Sequence, residues 1–183
     1  MKKSLLFLII TFSISSLTFS QENIKETSNQ NFNELKLNGL YLVIGAFDVT
    51  YERTLNEESG VGINIFIPFD DEISDDVNYY ISPYYRFYFG KKYAAGFFVE
   101  GFGMLNSTNY NTYFYNNGFD PTIKEDTITD FALGIGLGGK WVTNSGFIGE
   151  LNLGVGRNLF NTSDDYIDNE FVAKLGITIG YRF

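Results

Sequence analysis

The chain has 183 residues, enough for one domain, and 18% of them are aromatic, with 13 Tyr, 19 Phe and 19 Gly against 3 Pro, a composition that favours strands over helices. It has no Cys and no His, which excludes disulfides and thiol chemistry and removes the commonest general base and transition-metal ligand. Its net charge of −9 argues against nucleic acid as a partner, because phosphate binding needs a basic face.

Residues 1–20 read as a secretory signal peptide. Lys2 and Lys3 form a charged start, Leu5 to Phe12 a short apolar core, and Thr18, Phe19 and Ser20 place the cut before Gln21. The apolar run is too short and too broken by Ser and Thr for the roughly 20 residues that a membrane helix needs. Removing Lys2 and Lys3 from the 13 basic residues leaves 11 against 22 acidic ones, a net charge of −11. Residues 21–33 are polar and aperiodic, and read as a flexible lead-in.

Eight strand candidates follow, at 34–43, 46–55, 59–69, 78–89, 93–105, 127–142, 146–159 and 170–183. Period-two alternation gives each strand two faces. In the third, Val61, Ile63, Ile65 and Ile67 oppose Gly62, Asn64 and Phe66; in the sixth, Leu133, Ile135 and Leu137 oppose Gly134, Gly136 and Gly138. The fifth is less clean: if Glu100 points inward then Phe98 and Phe102 do too, so either the lumen is partly aromatic or a bulge shifts the phase. In the last, Phe171, Ala173, Leu175, Ile177, Ile179, Tyr181 and Phe183 form one set and Lys174, Gly176, Thr178, Gly180 and Arg182 sit in the other. This last strand is longer than ordinary sheets use and long enough to cross an outer membrane, which takes about 9–11 tilted residues.

The links alternate. Short ones follow the second, fourth and sixth strands, at 56–58, 90–92 and 143–145; longer ones follow the third, fifth and seventh, at 70–77, 106–126 and 160–169. The first outer link, near Ile44 and Gly45, breaks the rule by being very short. An even number of strands with alternating links predicts an all-β fold, an eight-stranded antiparallel up-and-down transmembrane β-barrel over 34–183, in a bacterial outer membrane.

The polar face then lines a lumen. It holds Lys36, Arg86, Lys140, Lys174 and Arg182 against Asp48, Glu52, Glu100, Asp130 and Glu150, five of each sign, as a closed interior requires, since an unpaired buried charge costs several kcal/mol. Eight strands leave a lumen just wide enough for side chains to fill. Trp141, Phe147, Phe89 and Phe183 suit the periplasmic rim, and Tyr41, Phe69 and Phe160 the outer one. Two rivals stand beside this reading: a narrow channel for small solutes, and a soluble lipocalin-like binder with the apolar face inside.

The remaining features point to little chemistry. Gly134, Gly136 and Gly138–Gly139 mimic a dinucleotide loop, but Lys140, Trp141 and Val142 continue a strand where a helix should begin. Asp70, Asp71, Glu72, Asp75 and Asp76 in one outer loop, and Asp164, Asp165 and Asp168 in another, fit no calcium-loop spacing and read as a solvated surface. Tyr110, Tyr113, Phe114, Tyr115 and Phe119 offer a surface contact for a partner or glycan, or equally extend strands five and six beyond the membrane. No catalytic, cofactor or metal residues are assigned; the expected partners are outer-membrane lipid and the barrel assembly machinery, around a monomer.

Several motifs add a resemblance. Pro83-Tyr84-Tyr85-Arg86-Phe87-Tyr88-Phe89, Gly96-Phe97-Phe98-Val99-Glu100-Gly101, Tyr51-Glu52-Arg53 and the closing Gly180-Tyr181-Arg182-Phe183 resemble a family of small bacterial outer-membrane barrels of unknown function. More distantly the chain is similar to the eight-stranded OmpA and OmpX barrels. The resemblance implies location and fold and carries no catalytic or ligand residues. The terminal Phe183, with Tyr181, also resembles the C-terminal signature read by the barrel assembly machinery. Eight-stranded barrels that are enzymes place a His in the active site, and this chain has none.

Overall fold

The computed structural model describes residues 32–116, 119–160 and 170–183, and side chains outside 110–125. The expected signal peptide at 1–20, residues 21–31 of the lead-in, and Asp164, Asp165 and Asp168 lie outside the described residues.

Eight strands form one closed barrel: β1 (Asn33–Asn38), β2 (Ala46–Thr54), β3 (Ser59–Pro68), β4 (Val77–Tyr88), β5 (Gly96–Asn116), β6 (Phe119–Val142), β7 (Phe147–Asn158) and β8 (Phe171–Arg182). Each pairs antiparallel with its sequence neighbours, and β1 closes on β8 through the register Glu34↔Arg182 to Asn38↔Thr178. The seam is finished by a reciprocal pair, Asn33 N–H to Phe183 O at 3.1 Å and Phe183 N–H to Asn33 O at 2.8 Å.

Alternation decides the two faces. Along β2, buried and exposed residues change places at every position from Ala46 to Thr54. The buried set is polar and the exposed set apolar, with Val49, Ile65, Leu137, Leu153 and Ile177 on the outer wall. The soluble lipocalin-like alternative needs the reverse, an apolar set inside, so this direction removes it. The fifth strand's ambiguity also resolves. Phe98 and Phe102 are buried beside Glu100, so the lumen is partly aromatic; the register shifts lie elsewhere, between Val77 and Tyr79 of β4 and between Phe114 and Asn116 farther along β5.

Beyond shifts of a residue or so at strand ends, four features differ from those read in the sequence. The first strand ends at Asn38, and residues 39–44 form a helix, α1 (Gly39–Ile44). Asn38 caps it by accepting the Leu40 N–H at 3.2 Å, and Gly45, at φ 107°, ends it by donating to Tyr41 O at 3.1 Å. The short outer link is thus a helical turn, and Tyr41 leaves the outer girdle: it packs inward, edge-on to Phe66 at 5.2 Å. In the next outer loop, α2 (Asp71–Ser74) is capped by Asp70. β5 starts at Gly96 because 90–95 form a turn. Finally, the link expected at 106–126 is mostly strand: β5 and β6 stay paired from Asn106↔Asp130 up to Asn116↔Phe119. β4 reaches only as far as Thr108 of β5, and β7 only Ala132 of β6. A two-stranded ribbon therefore continues past the rest of the wall, built from β-favouring Thr and Tyr residues that pair locally.

Candidate functional site

The polar residues of the inner face meet because alternate positions of a tilted strand all point to one side, and eight such strands point at one axis. Room for them comes from residues without side chains. A Cβ at Gly136 would stand 2.9 Å from Glu100 Cγ, and one at Gly62 would run into the Tyr84 ring. β3, which carries Gly60 and Gly62, is the one strand that adds no charge to the network below.

Nine charged side chains join into one chain of ion pairs. Arg182 grips Glu34 at 2.6 Å; Lys140 bridges Glu34 at 3.0 Å and Glu52 at 2.8 Å; Lys36 bridges Glu52 at 2.7 Å and Glu150 at 2.8 Å. Arg86 then reaches Glu150 at 2.8 Å, Glu52 at 3.1 Å and Glu100 at 2.7 Å, and Lys174 closes on Glu100 at 3.0 Å. Glu52 is the hub: besides Lys36, Lys140 and Arg86 it accepts the Tyr84 hydroxyl at 2.7 Å and the Tyr88 hydroxyl. Aromatic faces hold the cations from the side. The Arg86 guanidinium lies 4.4 Å from the Tyr84 ring centre and 4.1 Å from that of Phe98; Lys140 sits 4.2 Å over Tyr88 and Lys174 4.6 Å over Phe102.

The short-turn end is covered by the β4–β5 turn. Arg182 donates to Tyr93 O at 3.0 Å and Ala94 O at 2.9 Å, and Ala94 N–H donates to Glu57 O at 2.8 Å. Ala94 and Ala95, within this turn, are buried. Towards the other end, Asp48 accepts from Asn38 at 3.1 Å, from Tyr80 at 3.1 Å and from Asn64. Above it Phe66 and Tyr80 stack at 4.8 Å, with Met104 and Ala132 in the same apolar cluster. A cavity of about 10 Å³ remains between the two layers, lined by Asp48, Asn64, Asn152, Lys174 and Thr178 among others; that is about the space one water needs.

Of the ten charged residues expected in the lumen, Lys36, Glu52, Arg86, Glu100, Lys140, Glu150, Lys174 and Arg182 lie in the network. Asp48 stands apart among neutral donors. Asp130, buried near the outer end, accepts the backbone N–H groups of Phe131 at 2.6 Å and Phe160 at 3.1 Å. Glu34 was not among the ten. Fully buried, it ties β1 to β6 and β8; its position two residues before Lys36, on the same face, was the available signal. Adding it turns the balance of five and five into six acids against five bases. Tyr181 faces outward and meets Phe147 edge-on at 5.6 Å, and Phe183 is exposed beside them. The backbone of Tyr110, Tyr113, Phe114 and Tyr115 lies in the β5 ribbon; their side chains lie outside the described residues. Among the described residues no cluster of acidic side chains is arranged to hold a metal.

No protein-family model and no curated protein matches this chain. Among solved structures it is similar to the N-terminal β-barrel domain of Pseudomonas aeruginosa OprF, with a TM-score of 0.50 at 15% identity, over 84% of this chain and 98% of that one. It is also similar to the Yersinia pestis outer membrane protein Ail, solved in a phospholipid bilayer nanodisc, with a TM-score of 0.39 at 15% identity, over 84% of this chain and 100% of that one. The first likeness shows the fold, a closed antiparallel barrel of the outer-membrane type. It is the fold that the resemblance to OmpA- and OmpX-type barrels implies.

Proposed function

We propose that this chain is an integral protein of a bacterial outer membrane: a lipid-embedded, monomeric barrel with a side-chain-filled, solute-tight lumen and a structural or surface-interaction role. The observation that carries the reading is the inversion of the two faces, an exposed apolar wall around a buried network of ion pairs. Water would penalise so large a continuous apolar wall, whereas lipid rewards it, and a closed barrel satisfies every strand edge there. The network supports the solute-tight half of the reading. Its charges are mutually paired, three of its five cations (Arg86, Lys140 and Lys174) lie against aromatic rings, and the cavity beside Asp48 has space for about one water. Tyr181 and Phe183 are assigned to recognition by the barrel assembly machinery. The β5–β6 ribbon, with Tyr110, Tyr113, Phe114 and Tyr115 in its sequence, is the assigned surface contact. No catalysis is assigned.

Mature protein refolded into micelles should migrate differently on cold and boiled detergent gels, since a folded transmembrane barrel resists cold detergent. Unchanged migration together with solubility in plain buffer would overturn the membrane reading. In planar bilayers the protein should be electrically silent. Discrete conductance that rises in Arg86→Ala or Glu100→Ala would establish the narrow channel instead.

A further inference from the structure

The helix α1 is out of keeping with the rest of the rim. Its sequence, Gly39-Leu40-Tyr41-Leu42-Val43-Ile44, has no charge and one hydroxyl. Leu40 and Tyr41 are partly buried, Tyr41 against Phe66 over the end of the lumen. Gly39 is partly buried as well, and the last three residues are exposed, Leu42 by 39%, Val43 by 86% and Ile44 by 45%. The other short helix on the same rim follows the opposite rule. α2 reads Asp71-Glu72-Ile73-Ser74, capped by Asp70, with only Ile73 packed inward. α2 meets its surroundings with carboxylates, and α1 has none.

α1 is also continuous with the apolar wall. Directly after it, Phe47 and Phe69 meet at 4.9 Å on the outer face, and Gly45 O accepts the N–H groups of Phe69 at 2.9 Å and Asp70 at 3.1 Å, which ties the helix end to the top of β3. Below that pair, the outward residues Phe47↔Ile67, Val49↔Ile65 and Tyr51↔Ile63 run down the wall as cross-strand partners. On the other side Asn38, the helix cap, donates to Leu175 O at 3.0 Å and accepts the Ile177 N–H at 3.3 Å, beside the outward Leu175 and Ile177 of β8. The uncovered side chains of α1 are thus the crest of a continuous apolar strip over β8, β1, β2 and β3.

We propose that α1 is a lipid-seated anchor, with Leu42, Val43 and Ile44 in the acyl-chain zone of the leaflet at that end, so that this side of the rim sits at the membrane boundary rather than in water. The inference rests on the membrane reading above and adds a depth to it. Its physical basis is that exposed apolar surface continuous with a lipid-facing wall is satisfied by the same solvent. Tyr41 meanwhile turns its ring to the lumen.

The absence of cysteine makes the test direct. Val43→Cys, Glu72→Cys and Leu153→Cys are each given a nitroxide label and refolded into phosphatidylcholine vesicles. Collision rates with oxygen, which concentrates in acyl chains, and with a water-soluble nickel chelate are then measured. The label at Val43 should give an oxygen-to-nickel ratio several-fold above that at Glu72 and close to that at Leu153 on the outer wall. A nickel-accessible label at Val43 alongside a lipid-buried label at Leu153 overturns the anchor and leaves the membrane reading standing. Nickel access at Leu153 overturns both. Spin–spin broadening confined to the Val43 label would show a second copy of the chain on α1 and overturn the lipid assignment.

Discussion

Glu52 offers the sharpest test of what the lumen contributes. Its Oε1 faces Lys140 and the Tyr88 hydroxyl, and its Oε2 faces Lys36, Arg86 and the Tyr84 hydroxyl. All five partners donate. Glu52→Gln keeps the shape but replaces one oxygen with an amide that also donates, so two or three donors then face an N–H. It also leaves three acids against five bases in the network. Breaking a buried ion pair by removing one partner costs about 3–5 kcal/mol. Trp141 is the sole tryptophan and lies exposed on the outer wall, so its fluorescence reports departure from lipid or detergent. With a urea m-value of about 2 kcal/mol/M, the midpoint should fall by about 2 M. A fall below about 0.5 M at unchanged m would mean that Glu52 behaves like an exposed pair, and the network would lose its stabilising role. Pairing the substitution with Lys140→Met should recover part of the loss, a coupling of about 0.5–3 kcal/mol; strict additivity would show that the two residues do not communicate.

Leu153→Arg, on the outer wall, should destabilise the folded barrel in vesicles by about 2–4 kcal/mol, while an arginine at Thr143 in the exposed β6–β7 turn should change it little; equal effects in an unfolding titration would remove the lipid-facing assignment. Asn38→Ala deletes the α1 cap and the bonds to Asp48 and Leu175 O, and should cost about 1–2 kcal/mol for the cap alone, read as a lower unfolding midpoint in micelles. Phe183→Ala should refold in micelles at close to the normal yield but accumulate poorly in the outer membrane of cells; normal accumulation would detach Phe183 from assembly.

The wall was legible because alternation is a local signal. β2, β3, β7 and β8 announce their faces residue by residue, and the identity of most lumen charges follows from the face alone. What could not be read was anything that depends on who meets whom. Lys140 pairs with Glu34 from 106 positions away and Arg182 with Glu34 from 148, and no spacing rule connects such partners. α1 was invisible for a different reason. Leu40 to Ile44 are residues that strands also favour, and only the cap on Asn38 and the left-handed Gly45, both set by tertiary contacts, turn them into a helix. The β5–β6 ribbon was hidden by its polar composition, since Asn, Thr and Tyr alternate without the apolar set that marks a wall strand.

The seam between β1 and β8 has a consequence for how the molecule is made. Glu34 and Arg182 belong to the first and last strands, and their pairing needs both to be in register. Until then Glu34, Lys36, Lys174 and Arg182 keep their hydration shells, and an open sheet carries those charges on a wet surface at little cost. Closure strips the water and forms the pairs in one event. A nearly closed barrel would have lost the water without gaining all the partners, which makes it the least stable arrangement on the path. The contacts that end this state are also those of greatest sequence separation, the kind that form slowly. The charges therefore act as a latch on the final step: the barrel is either open and hydrated or shut and paired, with little population between.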